Sequence, residues 1–188
     1  MIKSLSAFLD YLTHHRKLVC EFIDKALSDL SLRKQLVLDI RSLEREKDVH
    51  DLDKTLPGLI EPFVIRYGLK NRLIDFNDVS DSDFRQIKRA LILHVTRNDH
   101  HLEHFSTDDV KTTFKFDKNQ VDIVAKKPIK LTSIPDTSIV KTCCDWCAVS
   151  TTLQASPIKY FKSVLGKRYS IDSRTTTKFL EVLERLWG

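Results

Sequence analysis

Seven histidines occur in the chain, and their placement carries more chemistry than their number. His15 falls in an apolar stripe where an aliphatic residue is due, with His14 turned about 100° toward the stripe's edge. His50 and Asp51 form an adjacent dyad. His94 and His101 are seven residues apart, which on one helix leaves them about 20° apart in direction, with Asn98 on the same stripe and His100 roughly 120° from His94. Asp145 lies far downstream. A lone histidine on an apolar face is usually a hydrogen-bonded core residue. Several of them need partners together, because an unpaired polar group buried in a core costs about 1 to 3 kcal/mol. One divalent metal satisfies several imidazoles at once, and neutral imidazole with carboxylate suits manganese, iron, zinc, nickel or cobalt.

The elements that must position these groups are mostly helical. Apolar residues at Leu5, Phe8, Leu12, Val19, Phe22 and Ala26 mark an amphipathic first helix that contains His15. A second helix is expected from about Leu32 to Asp48, with Leu36, Ile40 and Leu43 on one side, ending at His50-Asp51. Pro57 and Gly58 mark a turn, and a short apolar helix follows from about Ile60 to Tyr67, reset by Pro62. Ser80 or Ser82 caps the clearest helix, in which Phe84, Ile87, Leu91, His94, Asn98, His101 and Phe105 recur at alternating three and four. From Val110 to Val124 the period changes to two, which predicts a small β-hairpin near residues 111–124 with Asp117-Lys118-Asn119-Gln120 as its turn. Ser138 to Val149 reads as a helix carrying Asp145. A final helix runs from about Arg174 to Trp187. The expected fold is mainly α, a helical bundle with that hairpin inserted.

Composition narrows the field. The chain has 188 residues, 41% hydrophobic and 30% charged, which fits a single globular domain with one core. No apolar run approaches the roughly 18 residues that span a bilayer, and the N-terminal residues lead into an amphipathic pattern, so no membrane partner and a cytoplasmic location are expected. The four glycines form neither GxGxxG nor a phosphate-cradling loop. Arg168 stands where a Walker loop after Gly166-Lys167 needs Ser or Thr. A net charge of +5 favours anionic ligands, but no basic stripe interleaved with aromatics points to nucleic acid. Cys144 and Cys147 have CxxC spacing, yet a structural zinc site wants a second pair, and beside Cys143 only Cys20 remains. These thiols are expected to be reduced core residues.

The ordered series His15, His50-Asp51, His94 and His101, Asp145 resembles the HD-domain superfamily of metal-dependent phosphohydrolases, which are helical bundles. His50-Asp51-Leu52-Asp53-Lys54 is similar to its HD-x-x-K variant, and four stretches resemble, more specifically, an uncharacterised HD-like family of bacteria and their phages. These are His15 to Val19, His50 to Lys54 with Glu61 downstream, His94-x-x-x-Asn98-x-His100-His101-x-Glu103, and Asp145-Trp146 after Ile134-Pro135. The hairpin departs from the pattern, and His94 and His101 stand closer together than the second histidine pair of two-metal members.

The resemblance implies one or two divalent metals per chain. His15, His50, Asp51 and Asp145 would hold the first, and His94 and His101 the second, with Asp51 shared. Water activated by the metal would attack phosphorus, with Lys54 offsetting charge on the phosphoryl oxygens. Glu61 or Glu103 would orient a ligand histidine, and Asn98 and His100 would stand behind the ligands. For the substrate, Arg97, Arg66 and Arg72 are candidate phosphate clamps, because guanidinium matches phosphate oxygens in a fork. Trp146 is either a stacking platform or a core residue.

Three functions compete. The first is hydrolysis of a phosphoester in a phosphorylated small molecule such as a nucleotide. The second is an HD-fold di-iron oxygenase. The third is a non-catalytic phage or bacterial protein that sequesters a nucleotide or a host protein, marked by tight binding without turnover.

Overall fold

A computed structural model describes residues 2–188. The expected first helix is α1 (Ile2–Ser28), whose buried stripe runs Phe8, Leu12, His15, Val19, Ile23 and Ala26. The imidazole of His15 thus takes a core position in the middle of an apolar face. The second helix is broken in two. Asp29 accepts from the backbone of Ser31 and Leu32 to cap α2 (Leu30–Gln35), Leu36 turns extended, and Asp39 accepts from Ser42 N to cap α3 (Ile40–Val49). Two aspartates that compete with the backbone and start new helices explain the break.

After α3 the chain turns sharply. Asp51 adopts a left-handed backbone conformation (φ 58°) between His50 and a 3-10 turn, Leu52–Thr55. Left-handed geometry is uncommon for a residue with a Cβ, and it persists only where surrounding contacts enforce it. Here it swings a fully buried carboxylate inward. α4 (Ile60–Lys70) follows, then α5 (Asp81–Arg97), which a reciprocal Ser80/Asp83 capping box starts.

α5 ends about two turns earlier than the apolar period predicts. Asn98 is extended (ψ 122°), its backbone N–H and side-chain Nδ2 both bonded to His94 O, and a further 3-10 turn covers Leu102–Phe105. His100 and His101 therefore leave the helix, and their directions no longer follow a helical wheel. The next segment begins as a short helix, α6 (Val110–Thr113), so the hairpin is shorter than expected. Its strands are β1 (Phe114–Asp117) and β2 (Asp122–Ala125), antiparallel with Phe116 opposite Ile123. A hydrogen-bonded turn at Asp109 takes up the first of the alternating residues. Arg66 fastens the hairpin to α4, donating to Val121 O (3.1 Å) and Asp122 Oδ2 (2.7 Å).

α7 (Asp136–Leu153) is the central helix, packed against α1 and against α9 (Ser173–Trp187). It is buried almost all round, as a helix at the middle of a bundle must be. Between them lies α8 (Pro157–Val164), which the apolar period did not mark. Trp146, Phe161 and Phe179 close one end of the core with ring centroids 5.0 to 5.8 Å apart. β3 (Ile129–Lys130) pairs in parallel with β4 (Tyr169–Ser170), so that Arg168 and Tyr169 line the same cleft as His94 and His101. No helix among the described residues is long and apolar enough to cross a membrane.

Candidate metal centre

Four elements deliver the site. α1 supplies His15, the end of α3 supplies His50 and Asp51, α5 and the segment after it supply His94, His100 and His101, and α7 supplies Asp145. In the first half, His15 Nε2 lies 3.1 Å from His50 Nε2, 3.1 Å from Asp145 Oδ1 and 3.5 Å from Asp51 Oδ2. His50 Nε2 lies 3.5 Å from Asp145 Oδ1 and 3.7 Å from Asp51 Oδ2. In the second half, the other oxygen of Asp51, Oδ1, faces His94 Nε2 at 3.2 Å and His100 Nε2 at 3.6 Å, and His94 Nε2 meets His101 Nε2 at 2.8 Å. Two ligand atoms about 2.1 Å from one transition metal stand about 3.0 Å apart in an octahedron and about 3.4 Å in a tetrahedron. The observed separations bracket those edges.

Protons locate the lone pairs. Asp53 Oδ2 takes His94 Nδ1 at 2.8 Å, and Glu46 Oε1 takes both His50 Nδ1 (3.0 Å) and His100 Nδ1 (2.9 Å). Each of these histidines therefore holds a proton on Nδ1, and each aims Nε2 into the cluster, as imidazoles oriented by outer carboxylates do. Nε2 lone pairs then face carboxylate oxygens and one another, acceptor against acceptor. Asp51 Oδ1 and His100 Nε2 are buried with no hydrogen-bond partner among the described residues. A cation between them satisfies both, so the donor set fits a metal ion. Two groups, Asp51 with His94, His100 and His101, and Asp51 with His15 and His50, keep all their ligand atoms within 4.8 Å of one another.

The electrostatics point the same way. Burial pushes the Asp51 carboxyl up, but Lys54, with Nζ 2.6 Å from Oδ2, and the imidazoles of His50, His100 and His94 outweigh it and hold Asp51 well below the usual carboxylate range. Burial likewise opposes ionisation of Asp145, and His15 and His50 overcome it. Burial lowers His50, yet Asp51, Asp145 and Glu46 raise it to about 10, so a proton competes with a metal ion for its Nε2 lone pair. His101 goes the other way, pushed well down by burial and by the neighbouring His100 and His94. The carboxylates thus stay charged and draw positive charge onto whatever lies between them.

The site opens into a cleft of about 320 Å³, lined among others by Lys54, Arg66, His94, His101, Asp145 and Arg168. That lies at the lower end of the roughly 300–1,000 Å³ typical of small-molecule sites. Phe63, Trp146, Tyr160 and Tyr169 supply its aromatic surface, and Lys54 Nζ sits 5.6 Å over the Phe63 ring. Trp146 is 8% exposed and packs edge-on to Tyr160, so it serves the core and offers the cleft an edge.

The structure thus brings together His15, His50, Asp51, His94, His101 and Asp145, and it sets His100 among them rather than behind. Other expected residues fall elsewhere. Glu61 is exposed at the start of α4, and Glu46 and Asp53 occupy the histidine-orienting role given to it from sequence. Glu103 is buried but orients no histidine; its Oε1 accepts from Arg168 (2.6 Å) and Tyr169 (2.9 Å) on the cleft wall. Asn98 bonds Asp53 Oδ2 at 3.0 Å and so steadies His94's partner. Arg66 reaches the cleft but is engaged with the hairpin. Arg97 lines a different cleft with Arg45 and Lys141, and Arg72 lines a third with Phe76, because α5 and the turn after α4 face away from the histidines there. Glu46 had a legible signal, its i, i+4 spacing from His50 on one helix. Cys143, Cys144 and Cys147 are buried, and none belongs to a ligand group among the described residues.

A family model described as a family of unknown function (DUF5662) matches residues 4–184. That spans nearly the whole chain, and the chain belongs to this family. No curated protein matches, and no solved structure matches.

Proposed function

For this member of the DUF5662 family we propose metal-dependent hydrolysis of a phosphoester in a nucleotide or nucleotide-like small molecule, on two metal half-sites that share Asp51. The observation that carries the proposal is the convergence of Nε2 atoms from His50, His94 and His100 on both oxygens of Asp51, at the floor of a cleft whose lining sets Lys54, Arg66 and Arg168 beside Glu103, Asp122 and Asp145. It agrees with the resemblance of His50-Asp51-Leu52-Asp53-Lys54 to the HD-x-x-K pattern.

Metal ions held there would supply Lewis acidity and positive charge for displacement at phosphorus. The chain's own residues do the rest. Lys54 stands between Asp51 and the cleft, where its ammonium offsets charge developing on phosphoryl oxygens. Arg168 keeps its guanidinium fixed against Glu103, leaving its remaining N–H groups for a substrate anion. Trp146, Tyr160 and Phe63 form a wall for the less polar part of the substrate and exclude water from the floor. The burial of His15, His50 and Asp51 keeps their interactions in a low dielectric, where they are stronger.

The test is a panel of nucleotides and phosphodiesters assayed with protein reconstituted in manganese, iron, zinc, nickel or cobalt, with and without chelator. Chelator-sensitive release of phosphate or of a nucleoside product supports the reading. Tight binding of a nucleotide with no turnover under any metal favours a sequestering protein instead. Iron with a visible absorption change on exposure to oxygen favours the oxygenase.

A further inference from the structure

The Glu46 carboxylate divides its two oxygens. Oε1 takes both His50 Nδ1 and His100 Nδ1, at 3.0 and 2.9 Å, while Oε2 lies 3.2 Å from Lys141 Nζ. Lys141 is 5% exposed on α7, one turn before Asp145, and its Nζ is also 3.0 Å from each oxygen of Asp99. We propose that Lys141 is a positioning residue: by claiming Oε2 it commits Oε1 to two histidines, one from each half of the metal site, and so fixes the tautomer of both. The inference rests on the metal-centre reading above.

The contact is chemically one-sided. An ammonium has three donors and no acceptor, so the group it faces must present an oxygen. Glu46 has an oxygen on both sides and serves both neighbours. In a Glu46→Gln variant the amide has one oxygen, and Lys141 takes it. The NH2 then faces His50 Nδ1 and His100 Nδ1 as a donor and forces their protons to Nε2, where a metal ligand needs a lone pair. Removing the ammonium as well lets the amide turn over and offer its oxygen to both Nδ1–H groups. A single carboxylate oxygen shared by two imidazoles makes both halves respond together.

The experiment titrates metal-stripped protein with Zn²⁺ and separately with Mn²⁺, following affinity and ions bound per chain. Helical content is checked by circular dichroism. Glu46→Gln is expected to weaken binding about 10- to 100-fold in both halves, the range for lost outer-sphere partners. The double variant Glu46→Gln, Lys141→Met is expected to recover most of that loss. A merely structural contact predicts the reverse, with the double variant weaker than either single one. Recovery is the supporting result; a double variant no better than Glu46→Gln overturns the inference. Should Glu46→Gln not fold, Lys141→Met is expected to bind about tenfold more weakly than Lys141→Arg, and equal binding by the two overturns it. A wild type that binds neither ion overturns the metal-centre reading, and this inference with it.

Discussion

Asp53 Oδ2 accepts a hydrogen bond from His94 Nδ1 at 2.8 Å, two residues beyond the Asp51 carboxylate that His94 faces with its other nitrogen. One short turn, Asp51 to Thr55, therefore supplies both the carboxylate common to two candidate ligand groups and the group that orients His94. Asp53→Asn is expected to weaken metal binding in the His94 half by about 10- to 100-fold. The half built on His15, His50 and Asp145 keeps its ion, so elemental analysis reads one ion per chain fewer than in wild type. Equal loss from both halves would contradict the division of the site.

Lys54 separates binding from turnover. It lies 2.6 Å from Asp51 Oδ2 but ligates nothing, because a cation cannot. In Lys54→Met, metal content is expected to stay at the wild-type level while kcat falls about 10²- to 10³-fold, the effect of removing one preorganised charge-stabilising donor. Parallel measurement of metal content and steady-state kinetics checks this, and unchanged kcat would remove Lys54 from the phosphoryl site.

Acid loosens the hairpin. Asp122 is partly buried, which alone would raise its carboxyl, but Arg66 and Lys70 outweigh burial and lower it to about 2. A carboxylate depressed in the folded state contributes stability above its ordinary value near 3.8, lost as pH falls through about 2. Amide exchange in β1 and β2 is thus expected to quicken between about pH 4 and 2 ahead of exchange in α7. In Asp122→Asn that acid step should vanish; its persistence would point to another group.

The ligand order was legible in the chain because histidines and aspartates are costly in a core and so stand out from an apolar stripe. His15 and Asp145 were readable for that reason. His100 is not legible in this way, because a helical wheel gives its direction only if α5 continues, and α5 ends at Arg97, where the Asn98 side chain bonds His94 O in place of the next helical turn. The break between α2 and α3 follows from Asp29 and Asp39, whose capping role competes with a continuous apolar period. The β3–β4 pairing joins two-residue strands across the whole of α7 and α8, too short for any periodic signal. Asp53 reads as an ordinary surface acid until the fold sets it against His94, whereas Glu46 carries a signal in its i, i+4 spacing from His50.

The thiols test whether the CxxC segment holds zinc. Burial raises the thiols of Cys143 and Cys144 well above their ordinary value and that of Cys147 to about 12, while Cys20 is only half-buried. Thiolate is the reactive form, so a thiol reagent at neutral pH is expected to label Cys20 alone in native protein and all four cysteines after denaturation. Rapid native labelling of Cys144 or Cys147, or protection that a chelator removes, would contradict burial as the cause.

The most direct test of the central claim is the metal content of purified, reconstituted wild-type protein beside a His50→Ala, Asp51→Ala variant of matched helical content. His50 and Asp51 together touch both halves of the site, and each belongs to two of the three candidate ligand groups among the described residues. One or two transition-metal ions per chain in wild type and none in the variant is the predicted result. No metal in either protein, or equal metal in both, would contradict the account.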